Sequence, residues 1–386
     1  MAIDAGSGLR EQLARGLTLP ASWYSDPDIF RLEQDRIFRH TWQYAGTVQH
    51  VADPGQYLTC RVGGVPIVVV RGRDRELRAF VNVCRHRGHE VAQGCGKRET
   101  LQCPYHAWTY DLDGSLRAAP RSDREPGFDR SEWSLVRAQV ETWGPLVLVN
   151  PDLDAPPLAE TLGDLPEVVA SCGLDPSALE YTGRSREFLV EANWKIAVEN
   201  FLECYHCPVA HKSFSRLIDV DPDQYALSTA RWTSSQLGPV NEGAANQPYQ
   251  PDGEIRSSQF HFVWPNWTLN TLPGPAHLRV LVFDPIDENH TASYVDGFWA
   301  PGTPPELIEE ITAFGGTVGA EDTELVASVH RGLRSGAIEH GRLLLDSEHL
   351  LQHFQLLVHD GLSASSESAR ADSEPQRIPA CGGADA

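Results

Sequence analysis

The spacing of apolar positions changes twice along the chain. Between residues 22 and 42, apolar side chains recur every three to four positions, which predicts a helix. From about residue 44, short β-prone runs alternate with Gly, Asp and Pro turns and predict a small all-β domain. These runs include Ile67–Val70, Ala79–Val83 and Leu146–Val149. The Pro- and Asp-rich stretch from Pro151 to Pro157 then predicts a linker.

Beyond this linker, the helical and strand patterns are mixed. We expect helices over Ala192–Tyr205, Pro305–Phe314, Asp322–Leu333 and Ser347–Val358. We expect strands over Gln259–Trp264, Leu278–Phe283 and Ala292–Trp299. This mixture predicts an α+β domain built on an antiparallel sheet. From Ser363 onward the chain has almost no large apolar residue, which predicts a disordered tail.

Composition excludes several classes of protein. The 386 residues carry 53 acidic and 32 basic side chains, a formal net charge of −21 that opposes binding to nucleic acid or to an anionic membrane. No apolar run approaches the roughly 20 residues that span a bilayer. The segment Met1–Leu19 lacks the apolar core of a secretory signal, so we expect a cytoplasmic protein. Its eight cysteines then indicate metal ligands or buried thiols in preference to disulfides.

Four residues form a first candidate metal site. Cys84-Arg85-His86 is followed after sixteen residues by Cys103-Pro104-Tyr105-His106. Two Cys and two His can bind zinc, or a [2Fe–2S] cluster in which both His bind one iron. Zinc fingers usually place the Cys pair in one half and the His pair in the other, whereas each half here offers one of each. The pattern therefore favours the cluster, with zinc and an unrelated buried thiol as the alternatives.

A second candidate site lies in the helical run that ends at Tyr205. Glu203 and His206 are three residues apart and so share a helix face. His211 lies five residues beyond His206, about 140° around an ideal helix. Pro208 interrupts the helix between them and could let both rings face one metal. Two imidazoles and one carboxylate leave positions on iron free for O₂ and substrate. Taken alone, two histidines at this spacing are more often ordinary core or surface residues than metal ligands.

These two patterns together resemble the alpha subunits of Rieske non-haem iron oxygenases. The run Asn193-Trp194-Lys195, followed by Glu-Asn-Phe-Leu-Glu-Cys-Tyr-His, is similar to their catalytic helix. The first site resembles their Rieske domain, without the additional Cys pair that respiratory Rieske proteins carry at the places of His89 and Tyr105. The family includes aromatic-ring-hydroxylating dioxygenases and carnitine-type monooxygenases. Its members have an all-β Rieske domain and a catalytic domain with a central antiparallel sheet covered by helices.

The resemblance implies a division of the chain and a set of site residues. The expected parts are an N-terminal helical segment at 1–43 that packs on the catalytic domain, the Rieske domain at 44–155, the catalytic domain at 156–362 and the tail at 363–386. Cys84, His86, Cys103 and His106 would bind the [2Fe–2S] cluster. His206, His211 and Asp322 would bind a mononuclear Fe(II), with Glu321 as the alternative carboxylate. Asp322 could also be an acidic residue that merely favours a helix N-terminus.

The family also implies partners. A separate NAD(P)H reductase would supply electrons, directly or through a ferredoxin, since the chain lacks both a Gly-x-Gly-x-x-Gly nucleotide site and a plant-type ferredoxin Cys run. The oxygenase would be a homotrimer in which Glu203 connects the iron of one subunit to a cluster histidine of the next.

The expected reaction is O₂-dependent hydroxylation of a small organic substrate, foremost an aromatic one. The alternatives are oxidative N- or O-demethylation of a methylated compound, such as a quaternary ammonium compound, and simple electron transfer. Glu203, where many ring-hydroxylating enzymes have Asp, is similar to the carnitine branch. Four aromatic residues are expected either near the pocket or in the core: Trp232, Phe262, Trp264 and Trp267.

Overall fold

The computed structural model describes residues 7–185 and 187–363. Within them the chain forms two compact units, one of residues 34–158 and one that joins residues 7–33 to residues 159–363. The sequence-based division drew its boundaries at 43/44 and 155/156, ten and three residues away from those of the two units. Apart from Ser363, the tail expected over 363–386 lies outside the described residues.

The first unit consists of antiparallel strands. In chain order they are β1 Gln43–Thr47, β2 Gln56–Val62, β3 Val65–Arg71, β4 Leu77–Val81, β5 Cys95–Lys97, β6 Leu101–Gln102, β7 Thr109–Tyr110, β8 Leu116–Ala118, β9 Arg137–Trp143 and β10 Leu146–Asn150. A seven-stranded sheet has the order β1-β10-β9-β4-β3-β2-β5, and β6-β7-β8 form a second, small sheet.

Strand β3 shows why this unit has two cores. Its four consecutive apolar residues Ile67–Val70 are fully buried, so the strand is covered on both faces. Because side chains alternate along a strand, Val68 and Val70 enter one core, and Ile67 and Val69 enter the other. The core that contains Val68 and Val70 also contains the two candidate cluster thiols and Trp108.

The second unit is a sheet with helices. Its strands are β11 Glu180–Arg184, β12 Phe188–Val190, β13 Ala226–Thr229, β14 Thr233–Pro239, β15 Ser257–Val263, β16 Trp267–Thr271, β17 His277–Pro285 and β18 Thr291–Trp299. They form an antiparallel sheet in the order β11-β18-β17-β16-β15-β14-β13, with β12 also paired to β18. The fold class is therefore α+β, as the sequence predicted.

Helices α1 to α9 complete the described chain. They are α1 Ser7–Ala14, α2 Pro27–Arg36, α3 Leu158–Leu162, α4 Leu165–Ser171, α5 Trp194–Phe201, α6 Cys207–Ala210, α7 Phe214–Leu217, α8 Pro305–Arg334 and α9 Leu345–Ser363. The two helices expected over Pro305–Phe314 and Asp322–Leu333 are one continuous helix, because Gly315, Gly316 and Gly319 between them do not interrupt it. Each glycine costs a helix only about 1 kcal/mol, which tertiary packing can offset. No helix in the described ranges is both long enough and apolar enough to cross a membrane.

Helix α5, which leads to the second candidate site, is fixed by buried polar contacts. Asn193 caps it by accepting a hydrogen bond from the backbone N–H of Lys195 at 3.1 Å. The Lys195 ammonium is fully buried and pairs with Glu33, which also accepts the indole N–H of Trp194 at 2.8 Å. A buried charge needs a partner of this kind, so the N-terminal segment holds the start of the helix in place.

Candidate metal centres and active site

The two loops that carry Cys84 and Cys103 close in the same way. In each loop the N–H of the cysteine donates to the carbonyl of the residue five positions later, and the N–H four positions later donates back to the cysteine carbonyl. The four N···O distances are Cys84–His89 2.8 Å, Gly88–Cys84 3.0 Å, Cys103–Trp108 2.8 Å and Ala107–Cys103 3.0 Å. The fifth residue of each loop has positive φ, 75° at Gly88 and 58° at Ala107. The loops are therefore two copies of one ligand-presenting turn.

These loops bury their thiols and expose their imidazoles. Cys84 and Cys103 are each 2 % exposed, whereas the rings of His86 and His106 lie at the surface, 4.6 Å apart. The hydroxyl of Tyr110 lies 3.4 Å from the sulfur of Cys84. The indole of Trp108 stacks on His86, with 5.0 Å between ring centres. Two inner thiols and two outer imidazoles match a cluster in which one iron takes both Cys and the other takes both His.

The second site forms where helix α5 ends. The chain leaves α5 at Leu202 and starts the short helix α6 at Cys207, with Pro208 in its first turn. His206 and His211 therefore flank α6 instead of lying 140° apart on one helix, and their Nε2 atoms come within 3.0 Å. Oδ1 of Asp322, from the middle of α8, lies 2.9 Å from Nε2 of His211 and 3.5 Å from Nε2 of His206. One potential ligand atom from each residue lies within 4.8 Å of the others.

Two further carboxylates contact the opposite edges of the same imidazoles. Glu203 pairs with Nδ1 of His206 and also accepts its backbone N–H at 3.1 Å. Glu321 accepts from Nδ1 of His211 at 2.7 Å. Carboxylates at Nδ1 are the usual outer partners of metal-binding imidazoles and direct Nε2 to the metal. This geometry favours Asp322 over Glu321 as the third ligand.

The electrostatics favour a cation among these donors. Burial raises the pKa of Asp322, but hydrogen bonds from His206 and His211 outweigh it and lower that pKa to about 2. Burial likewise lowers the pKa of His206, but Asp322 and Glu203 outweigh it and raise that pKa to about 9. The site thus holds an anionic carboxylate and retains a proton on His206. A divalent metal would replace that proton, and iron suits two nitrogens and one oxygen with open positions.

A cavity of about 620 Å³ reaches these three residues. Seven aromatic side chains line it: Phe188, Phe201, Phe214, Tyr225, Phe260, Phe283 and Phe314. The other lining positions are divided between aliphatic residues or glycine and polar residues, which include Glu203, Gln236, Asn270 and Arg279. The site therefore opens into an apolar, aromatic chamber of the size of a small organic substrate.

Comparison with known protein families matches two separate segments of the chain. Residues 41–142 match the Rieske [2Fe-2S] domain, and residues 174–364 match the catalytic domain of the ring hydroxylating alpha subunit. The carnitine monooxygenase oxygenase subunit of Acinetobacter pittii is 34% identical over 357 residues, which cover 88% of this chain and 94% of that protein. The chain belongs to the Rieske non-haem iron oxygenases. This oxygenase is also 34% identical over 352 residues to the chloroplastic choline monooxygenase of Spinacia oleracea, with 89% and 78% of the two chains covered.

Solved structures extend this comparison. The quaternary ammonium Rieske monooxygenase CntA in complex with L-carnitine has a TM-score of 0.79 and 32% identity to this oxygenase, with 91% and 97% of the two chains covered. Naphthalene 1,2-dioxygenase with bound indole has a TM-score of 0.75 at 20% identity, with 91% and 93% covered, and so shares the fold. The family resemblance predicted from the sequence is confirmed.

Family membership also confirms the two expected cofactors, because its Rieske domain binds a [2Fe–2S] cluster and its catalytic domain binds a mononuclear iron. As a Rieske oxygenase, the protein takes electrons from a partner protein and acts on a small molecule with O₂. The assignment of individual ligands to each metal is a proposal that rests on the geometry described above.

Two features of the site were not predicted. Cys204 and Cys207 form a disulfide, with 4.9 Å between their Cα atoms, so the preference for thiols over disulfides was wrong for this pair. Their spacing of three residues was visible in the sequence, but the end of α5 just before them, at Leu202, was not. Of the four aromatic residues singled out, none lines the cavity. Phe262 shares a face of β15 with Phe260, but it lies two residues further along, where Phe354 covers it.

Proposed function

We propose that this Rieske oxygenase hydroxylates a carbon bonded to the nitrogen of a quaternary ammonium compound. This was the second option from the sequence. The observation that carries it is the set of seven aromatic side chains around the cavity that holds His206, His211 and Asp322. Aromatic faces attract a quaternary ammonium group, which has no hydrogen to donate. The relatives named for carnitine and choline support the same substrate class.

The residues divide into three tasks in this proposal. Cys84, His86, Cys103 and His106 bind the cluster, and His206, His211 and Asp322 bind Fe(II). The iron, when bound, supplies the activation of O₂. Glu203 and Glu321 fix the orientation of the two imidazoles, and the apolar cavity excludes water from the reacting carbon.

The reaction balances as a monooxygenation. Substrate, O₂, two electrons and two protons give the hydroxylated substrate and water. A hydroxyl group on a carbon next to the cationic nitrogen lets the C–N bond break, which releases a tertiary amine and an aldehyde. The electrons come from NAD(P)H through a separate reductase, directly or through a ferredoxin.

The proposal includes a homotrimer in the cytoplasm. A head-to-tail interface between identical subunits closes most simply as a ring. Glu203 would lie at that interface. Within its own subunit it contacts Nδ1 of His206. Across the interface it would contact a cluster histidine of the next subunit. Sedimentation of the purified protein would test the trimer, and fractionation of cells would test its location.

The test of substrate class uses the purified protein with a surrogate reductase. We expect O₂ consumption coupled to NADH only with quaternary ammonium compounds, and mass spectrometry should show one tertiary amine for each O₂ consumed. Naphthalene, benzoate and indole serve as the aromatic comparison. Formation of hydroxylated aromatic products without amine release would overturn the proposal in favour of ring hydroxylation.

A further inference from the structure

Arg279 is the unusual residue of the cavity. It lies on β17, on the same strand face as Leu281 and Phe283, and all three line the chamber. Within residues 7–185 and 187–363, its guanidinium group makes no hydrogen bond or ion pair with another side chain. Burial lowers the pKa of Arg279, and no carboxylate offsets that effect. A partly buried cationic group thus lines the chamber without an anionic partner among the described residues.

Helix α8 makes room for this cation. A Cβ atom added to Gly315 would lie 1.9 Å from Nη1 of Arg279 and 3.0 Å from its Cζ. The guanidinium group therefore occupies the space that any other side chain at position 315 would fill. In contrast, a Cβ at the next residue, Gly316, would meet nothing within 4 Å. The glycine at 315 and the arginine on β17 fit each other.

An unpaired cation that is partly withdrawn from water is unfavourable, because the protein gives it less stabilisation than water does. The cost is recovered when a ligand brings an anion, since a guanidinium group binds a carboxylate through two parallel hydrogen bonds. The two carboxylates that line the cavity, Glu203 and Asp322, already contact the candidate iron-binding histidines. The partner of Arg279 must therefore enter with the substrate.

We propose that Arg279 binds the carboxylate of a zwitterionic substrate, so that the natural substrate is an N-methylated amino acid and not an amino alcohol. This inference rests on the proposed function, which places the ammonium group among the aromatic side chains. Arg279 then determines specificity between the two substrate classes for which the relatives are named. Carnitine and γ-butyrobetaine carry a carboxylate, whereas choline carries a hydroxyl group.

Three probes separate the two halves of the substrate. γ-Butyrobetaine has both charges, choline has only the cation, and the analogue of γ-butyrobetaine with a tert-butyl group in place of trimethylammonium has only the anion. Binding of each to the full chain loaded with both metals is measured by calorimetry, so that the result does not depend on turnover. We expect γ-butyrobetaine to bind at least tenfold more tightly than choline.

Arg279→Gln should weaken both carboxylate probes by roughly 10- to 100-fold, the usual worth of a charge-assisted hydrogen-bonded pair. The ratio of the dissociation constants of γ-butyrobetaine and choline should rise by the same factor. Gly315→Ala keeps the charge but displaces the guanidinium group, so it should weaken the carboxylate probes as well. Arg256→Gln is the matched control, because Arg256 is exposed and does not line the cavity.

The outcomes distinguish the two proposals. If the tert-butyl analogue binds as well as γ-butyrobetaine and both depend on Arg279, the anion site stands and the ammonium site fails. If choline binds most tightly and Arg279→Gln leaves all three constants unchanged, the assignment of Arg279 is overturned while the ammonium site stands. Unchanged binding of the carboxylate probes in Arg279→Gln refutes the inference in every case.

Discussion

Asn200 donates a hydrogen bond from Nδ2 to Oδ1 of Asp322 at 2.7 Å. It is the same oxygen that lies 2.9 Å from Nε2 of His211. Asn200 is on α5 and Asp322 is on α8, so this contact links the helix that precedes the two candidate histidine ligands to the helix that carries the candidate carboxylate ligand. It orients a carboxylate that is 110 or more residues away from the histidines in sequence.

Loss of this contact should weaken the iron site. Asn200→Ala leaves Oδ1 of Asp322 without its orienting donor, and we expect the affinity for Fe(II) to fall by about 10- to 100-fold. The cluster spectrum should not change. Metal analysis after dialysis against a weak chelator measures the effect, and Thr323→Val, next to Asp322 on the same helix, is the control. Equal iron retention in both variants would show that Asn200 has no role in metal binding.

The two metal sites should be separable by mutation. His206→Ala, His211→Ala and Asp322→Ala should each lose the mononuclear iron and all product while the visible spectrum of the cluster remains. Cys84→Ser should lose the cluster. Iron analysis and absorbance of the same samples provide the measurement. Full iron content in Asp322→Ala together with its loss in Glu321→Ala would reverse the assignment of the carboxylate.

Glu203→Gln should keep both metals and the proposed trimer but lose most turnover. The substitution removes the negative charge that holds Nδ1 of His206 and that would accept from a cluster histidine of the next subunit. Cluster reduction and product formation are followed in the same sample after mixing with reduced reductase. A normal yield of product would rule out this electron route, and so would a monomeric but fully active enzyme.

Tyr110 should raise the reduction potential of the cluster. Its oxygen accepts the backbone N–H of Arg85 at 2.9 Å, which leaves its own proton free to donate to the sulfur of Cys84 at 3.4 Å. Hydrogen bonds to cluster sulfur stabilise the reduced state, so Tyr110→Phe should lower the reduction potential. Redox titration of the cluster measures this shift. Tyr57→Phe removes a hydroxyl that binds only the carbonyl of Gln93 among the described residues, and its potential should equal that of the parent.

Glu199 should make stability depend on pH. Burial raises its pKa from the ordinary 4.5 to about 7, although Tyr24 and Gln355 donate to it at 2.7 and 2.9 Å. The folded chain thus binds a proton more tightly than the unfolded chain does, so stability falls as pH rises from 4.5 to 7 and stays low above 7. Glu199→Gln keeps the acceptor oxygen and removes the charge.

We therefore expect Glu199→Gln to unfold at a higher temperature than the parent at pH 8, with a gain of up to about 3 kcal/mol. The difference should shrink towards zero at pH 4.5. Thermal melting at both pH values provides the measurement, with the exposed Glu167→Gln as control. A gain of equal size at both pH values would contradict a raised pKa at Glu199.

The sequence indicated candidate metal ligands, but it did not indicate the other residues that line the pocket. Cys84 and Cys103 could be singled out because each lies in a short loop with a histidine two or three residues further on. His206 and His211 were also a local pair, although the break in the helix lies at Leu202 and not at Pro208, where the sequence placed it. Phe260 and Arg279 were not identified, because their role depends on how far along its strand each residue lies and on which helix covers it. Those relationships join residues far apart in the chain and leave no periodic signal.

Two glycines in the middle of α8 allow the size of the cavity to change while the candidate metal ligands stay the same. Gly316 and Gly319 line the cavity, and a Cβ at either position would meet nothing within 4 Å, whereas Asp322 lies one turn beyond Gly319. Larger side chains at these two positions would shorten the chamber while leaving each proposed metal ligand unchanged. The enzyme can therefore acquire a new substrate range through single substitutions on one helix, and this makes α8 the natural starting point for engineering and for tracing how related oxygenases diverged.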